Sequence, residues 1–271
     1  MQTFNDLGQQ IKILSTQDNF NFADIGAILA ELKPSTIAAL LNTMLAELKI
    51  KGKLPTFSED HIYLYREKEF NIFIRFAGTG VETSQLAANE FDAFILNLAT
   101  ETVSIPAYAC DIDQQYLDQK PASLQIMPPI ELKPHELYYV SAFTTILDLN
   151  AISKKVPLLI VHSEKRSWST WSFDRKTRQP IQRFCTDLRA SRLQLTLAFL
   201  QYMNNSEDMD SILTQLSTSD YAEFVRWDAI KYLYQIKPEK GLAILQQVAQ
   251  HDVSSDLRNA AKQTLESINH G

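Results

Sequence analysis

The sequence predicts an α+β multidomain protein, with an antiparallel β-sandwich or jelly-roll domain flanked by an N-terminal helical hairpin and a C-terminal α-helical repeat. Apolar residues recur at spacings of three and four between Phe22 and Leu48, and again from Asp187 onward. Between His61 and Cys185 they fall instead in short runs rich in β-branched and aromatic residues. The implied domains are residues 1–57, 58–186 and 187–271, a division that a chain of 271 residues is long enough to support.

In the first segment Phe22, Ile25, Ile28, Leu29 and Leu32 form an apolar stripe, Lys33-Pro34 interrupts it, and Ile37, Leu40, Leu41, Met44, Leu45 and Leu48 resume it. Proline suits the first turn of the second helix, where its missing N–H has no intrahelical acceptor.

The middle segment offers about nine strand candidates at a spacing that favours an antiparallel sandwich. They are His61–Tyr65, Phe70–Phe76, Phe91–Leu98, Val103–Ala109, Ser123–Met127, Glu136–Leu149, Val156–His162, Ser167–Asp174 and Pro180–Phe184. Ser84–Asn89, SQLAAN, reads as one turn of helix. The long run Glu136–Leu149 reads as an edge strand that needs a cover, which a homodimer would supply.

Asp187 or Thr186 can cap the helix that begins the third segment. An internal repeat follows. VRWDAIKYL, Val225 to Leu233, aligns with LRNAAKQTL, Leu257 to Leu265, at an offset of 32 residues. The same offset places Ser211–Leu216 over Ala243–Val248, and Asp220 over Asp252. At these residues, with Arg226 over Arg258, Ala229 over Ala261 and the Lys237-Pro238 turn, the chain resembles the HEAT-repeat family. The resemblance covers roughly Leu188 to Glu266 and implies stacked helix pairs with a protein-binding surface. Arg226 and Arg258 are partner-contact candidates, or internal scaffolding that caps carbonyls or pairs with Asp220 and Asp252.

The β-region is similar in strand count and length to the cupin superfamily, whose metal motif carries a His-x-His pair, a Glu and a later His. The five histidines here, His61, His135, His162, His251 and His270, show no such spacing, so no metal and no cofactor is expected. Cys110 and Cys185 match no C-x-x-C pattern and read as free thiols. No nucleophile elbow, H-E-x-x-H or Walker A loop occurs, Gly78-Thr79-Gly80 reads as a turn, and Asp111 and Asp113 read as solvated loop charges. No catalytic residue is assigned.

The first function these features imply is a non-catalytic protein-interaction or scaffold role. The alternative is a small-molecule sensor or metal-independent enzyme using the β-domain interior, with Tyr138, Tyr139, His162, Trp168, Trp171 and Phe173 as pocket candidates. A third reading, DNA binding through an N-terminal winged helix, is disfavoured. Its reading helix, Ser35 to Leu48, has no Lys or Arg, and the chain carries 26 basic against 32 acidic residues, a net charge of −6. The basic turn Arg175, Lys176 and Arg178 remains a contact site for an acidic partner. The first residues show no secretory pattern and no run reaches the length of about 18 apolar residues that a membrane helix needs, so a cytoplasmic protein with no membrane association is expected.

Overall fold

A capping box starts the first helix, α1 (Phe4–Ser15): the Thr3 hydroxyl accepts from the Asp6 amide at 3.1 Å, and the Asp6 carboxylate accepts from the Thr3 amide at 2.7 Å. The helical segment therefore holds one element more than the predicted hairpin. A 3₁₀ turn over Phe22–Ile25, capped by Asn21, runs into α2 (Gly26–Ala30), and α3 (Pro34–Lys51) opens on its proline. The computed structural model describes residues 3–51, 61–78, 83–113, 119–201 and 209–270, and the chain divides into two compact units, Met1–Phe184 and Cys185–Gly271.

Eleven strands follow among the described residues of the first unit: β1 (His61–Arg66), β2 (Phe70–Ala77), β3 (Gln85–Ala87), β4 (Ala93–Asn97), β5 (Val103–Ala109), β6 (Gln125–Leu132), β7 (Leu137–Val140), β8 (Thr145–Leu147), β9 (Val156–Ser163), β10 (Ser169–Asp174) and β11 (Pro180–Cys185). They form one five-stranded sheet, β1-β2-β9-β4-β7, and two three-stranded sheets, β11-β10-β3 and β6-β5-β8. Every pairing resolved between them is antiparallel.

The five-stranded sheet is buried on both faces, which explains why its strands read as continuous apolar runs. Period-two alternation sends Ile72, Ile74, Phe94, Leu96, Leu159 and Val161 to one core, where Leu7, Ile11, Ile25, Leu29 and Leu40 of the helices meet them. Phe73, Ala93, Ile95, Leu158 and Ile160 face the other way and pack on Val103, Ile105 and Leu132 of the small sheet. A third core joins Leu86, Trp171 and Phe173 to Phe143, Ile146 and Cys110. The tightest joint between α1 and the sheet is at Gly8, where a Cβ would stand 2.5 Å from the Tyr65 ring.

Three sequence expectations are corrected here. Ser84–Asn89 is not helical: Leu86 is buried between exposed Gln85 and Ala87, the alternation of a strand. Glu136–Leu149 is not one long edge strand but β7 and β8 in different sheets, and the β7 edge is four residues long. The break lies at Phe143, whose φ of 59° is stabilised by full burial of its ring and by its amide donating to the Asn89 carbonyl at 2.8 Å. The strand predicted to end at Met127 continues through Pro128 and Pro129, because β6 is an edge and one flank needs no donors.

The second unit contains α4 (Leu188–Leu200), α5 (Met209–Thr218), α6 (Glu223–Ile236), α7 (Pro238–His251) and α8 (Ser255–His270). Asp187 caps α4 by accepting from the Arg189 and Ala190 amides. Helix α6 packs on α4, α5 and α7, and α7 packs on α8. The repeat residues are the contacts: Val225, Ala229, Leu233, Leu257 and Ala261 are all buried, and the two alanines let the helices approach closely.

Candidate functional site

Strand β10 carries the aromatic candidates. Trp171 and Phe173 point into the third core, 8% and 0% exposed, while Trp168, ahead of the strand, is 42% exposed. The intervening Ser169, Thr170 and Ser172 are buried as well, since β10 is the middle strand of its sheet. Their hydroxyls are used: Thr170 donates to the Ala88 carbonyl at 3.1 Å, Ser172 to the Gln182 carbonyl at 3.2 Å, and Ser169 accepts from Arg183 Nε at 2.6 Å. Tyr138 and Tyr139 alternate across β7, so Tyr139 meets the helix-side core and Tyr138 the sandwich interior. Tyr139, Tyr138 and the pair Trp171 and Phe173 thus lie in three separate cores, and Trp168 lies outside them.

His162 lies half-buried on β9, stacked on Phe91 with ring centroids 4.4 Å apart and edge-on to Phe73 at 5.6 Å. Its Nδ1 donates to the Ser163 carbonyl at 2.7 Å, and Nε2 is 3.5 Å from the Asn71 amide nitrogen, as suits a neutral ring. Burial lowers its pKa below the ordinary histidine value, against a weaker opposing pull from Glu90. Among the described residues no three His, Cys, Asp or Glu side chains converge as a metal site.

Two buried carboxylates beside this histidine were missed by the sequence reading. Glu90 is 8% exposed and bonds Lys165 Nζ at 3.0 Å; Asp92 is 1% exposed, pairs with Arg166 and accepts from the Ala142 amide at 2.9 Å. Lys165 and Arg166 pin their turn to the approach of β4. Burial, then the neighbouring Asp92 charge, raises the pKa of Tyr139. The period-two spacing of Glu90 and Asp92 ahead of an apolar run was the available signal.

The basic turn after β10 is similarly committed. Arg175 forms a two-pronged pair with the buried Asp148 carboxylate, and its Nε donates to the Thr83 carbonyl at 2.6 Å. Asp174 closes the turn by accepting from the Lys176 and Thr177 amides and the Thr177 hydroxyl; the Thr177 bonds hold its carboxyl below the usual range. Arg178, at φ 61°, accepts from the Leu124 amide through its carbonyl, and Lys176 is exposed. Arg175 and Asp148 wall an open cleft of about 550 Å³, lined also by Arg75, Asn150, residues 83–87 of β3 and its approach, and residues 146–149.

In the helical unit Arg226 is buried and bonded to Asp252, while Arg258 donates to the Asp252 and Val253 carbonyls. Both therefore act inside the stack. The outer surface of α4 is different. Leu188, Leu195 and Phe199, at helical spacing, are 73%, 59% and 62% exposed, flanked by exposed Arg189 and Arg192. Among the described side chains of α8 the exposed ones are all polar: Ser255, Asn259, Lys262, Gln263, Glu266 and Ser267. No described helix is long and apolar enough to cross a membrane.

Comparison with known proteins places two similarities on this geometry. The family of HEAT repeats matches residues 192–266, within the span Leu188 to Glu266 over which the sequence resembles it. No curated protein matches the sequence. Solved structures similar to the β region are cupin-like. An RmlC-like cupin protein from Ralstonia eutropha is 11% identical, with 57% of this chain and 85% of that chain covered, at a TM-score of 0.26. A cupin protein from Bacteroides fragilis is 9% identical over 41% and 83% of the two chains, at 0.25. A protein with a double-stranded β-helix domain from Klebsiella pneumoniae is 6% identical over 43% and 87%, at 0.26.

Proposed function

We propose that the protein is a non-catalytic interaction or scaffold protein that binds a partner protein through the outer face of α4. The observation that carries this reading is the inequality of the two ends of the helical stack. A solenoid needs a polar outer face on its terminal helix to remain solvated. Helix α8 has one; α4 presents Leu188, Leu195 and Phe199. The three side chains make a stripe of the kind that a helix of a partner buries at i, i+3, i+4 and i+7 spacing. Arg189 and Arg192 beside them favour acidic flanks on that helix.

Capture with the full chain tests the proposal. A stoichiometric protein partner is expected, retained by the wild type and lost by Leu195→Glu with Phe199→Glu. If no such partner is retained while a screen of small metabolites raises Tm, the scaffold reading fails and the small-molecule reading replaces it.

A further inference from the structure

Strand β3 ends its sheet, and the hydrogen bonds on its paired side show what its open edge offers. The Ser84 carbonyl accepts from the Arg175 amide and the Ala88 amide donates to the Trp171 carbonyl, both at 3.0 Å. Gln85 and Ala87, in register with Asp174 and Ser172, therefore turn their own N–H and C=O groups away from β10. Thr83 Oγ1 donates to the Gln85 carbonyl at 2.7 Å. That leaves the Gln85 N–H and, side by side, the Ala87 N–H and C=O without a hydrogen-bond partner among the described residues. The cleft of about 550 Å³ runs along this edge, since Thr83 to Ala87 all line it and no residue of β10 does. Its two guanidinium groups are already engaged, Arg175 with Asp148 and Thr83, and Arg75 with Asn150 at 2.9 Å. Recognition in the cleft thus falls first to the main chain of β3.

We propose that the cleft binds a flat oxo-substituted nitrogen heterocycle, a lactam, whose ring N–H and neighbouring C=O meet the C=O and N–H of Ala87. The two groups of one strand residue point the same way in the plane of the sheet. A ring edge that holds an acceptor beside a donor meets both with no torsion to freeze. Ala87 offers the one complete pair on the edge; an extended peptide would also use the Gln85 pair, whose carbonyl Thr83 already occupies. The edge therefore suits a small ring better than a strand. A volume of about 550 Å³ falls within the roughly 300–1,000 Å³ of small-molecule sites. Buried Leu86, Ile146 and Leu149 supply apolar surface in the lining. The Gln85 N–H stands two residues along the edge, about 7 Å at the rise of a strand, and takes a second acceptor on a ring substituent. None of these residues belongs to α4, so this site and the α4 reading can fail separately.

A titration of the ¹⁵N-labelled full chain, followed by amide NMR, tests the assignment. The probes are 2-pyridone, uracil and hypoxanthine at millimolar concentration, each beside a counterpart methylated at every ring N–H. At least one lactam is expected to move the Ala87 amide resonance saturably, and its methylated counterpart to bind at least about fivefold more weakly, the scale of one lost hydrogen bond. Ala87→Pro removes the open N–H without touching a bond to β10 and should abolish binding, with resonances distant from β3 unchanged. The methylated probes make the same test from the ligand side should that variant fail to fold. The proposal is overturned if no lactam moves the Ala87 amide, if each methylated probe binds as well as its parent, or if binding persists in a folded Ala87→Pro protein. It is equally overturned if a capped Thr-Val-Thr peptide moves that resonance and the lactams do not, which would make β3 a strand-pairing edge.

Discussion

Arg226 of α6 and Asp252 at the end of α7 form a buried two-pronged ion pair, with Nη2 at 3.1 Å from Oδ1. The pair joins positions 26 residues apart, so it clamps one helix pair to the next turn. Asp252 also accepts from the Ser254 amide at 2.8 Å and thereby shapes the start of α8.

Removing one partner leaves the other charge buried. Arg226→Met should destabilise the helical unit by about 3–5 kcal/mol, and Arg226→Lys should restore only part of this because an ammonium cannot make the fork. Chemical denaturation followed by far-UV circular dichroism, fitted with separate transitions for the two units, gives the number.

The alanines of the repeat are steric requirements. Ala229→Leu or Ala261→Leu should cost about 1–3 kcal/mol by overpacking, whereas Ala198→Leu, on the exposed side of α4, should stay within about 0.5 kcal/mol. The same denaturation experiment separates them.

These repeat positions were legible in the sequence because a helical solenoid reuses one contact at one offset. The β unit was less legible. Its strands were found, since Ile72, Phe94 and Val161 sit in runs that only a sheet explains, but its turns were not. Phe143 takes a left-handed backbone that no aromatic residue advertises, and Leu86 forms a three-residue strand too short for its alternation to register. The site residues were least legible. A cation in a turn looks solvated until tertiary structure brings Asp148 to Arg175 or Asp92 to Arg166.

Protonating His162 should weaken the first unit. Its folded pKa lies below its unfolded value of about 6.5, so between the two the unfolded chain binds more protons. The contribution of the neutral ring is present above pH 6.5 and is lost as pH falls through the folded pKa. Denaturation at pH 7.5 and 5.0 should show a loss that His162→Gln reduces.

Cysteine reactivity should divide sharply. Burial, reinforced by Asp111, pushes the Cys110 thiol up to about 12, and its Sγ donates to the Phe143 carbonyl. The thiolate is the nucleophile, so Cys110 should resist iodoacetamide at pH 8 in the native protein while half-buried Cys185 is labelled. In denaturant both should react, as peptide mass spectrometry will show.

Site-specific photocrosslinking from α4 addresses the interaction role most directly. With p-benzoylphenylalanine in place of Phe199, a discrete adduct with one partner protein is expected, while the same probe in place of Lys262, on the polar face of α8, gives none. Equal adducts from both positions, or none from position 199 in a lysate that contains the native partners, would contradict a protein-binding face on α4.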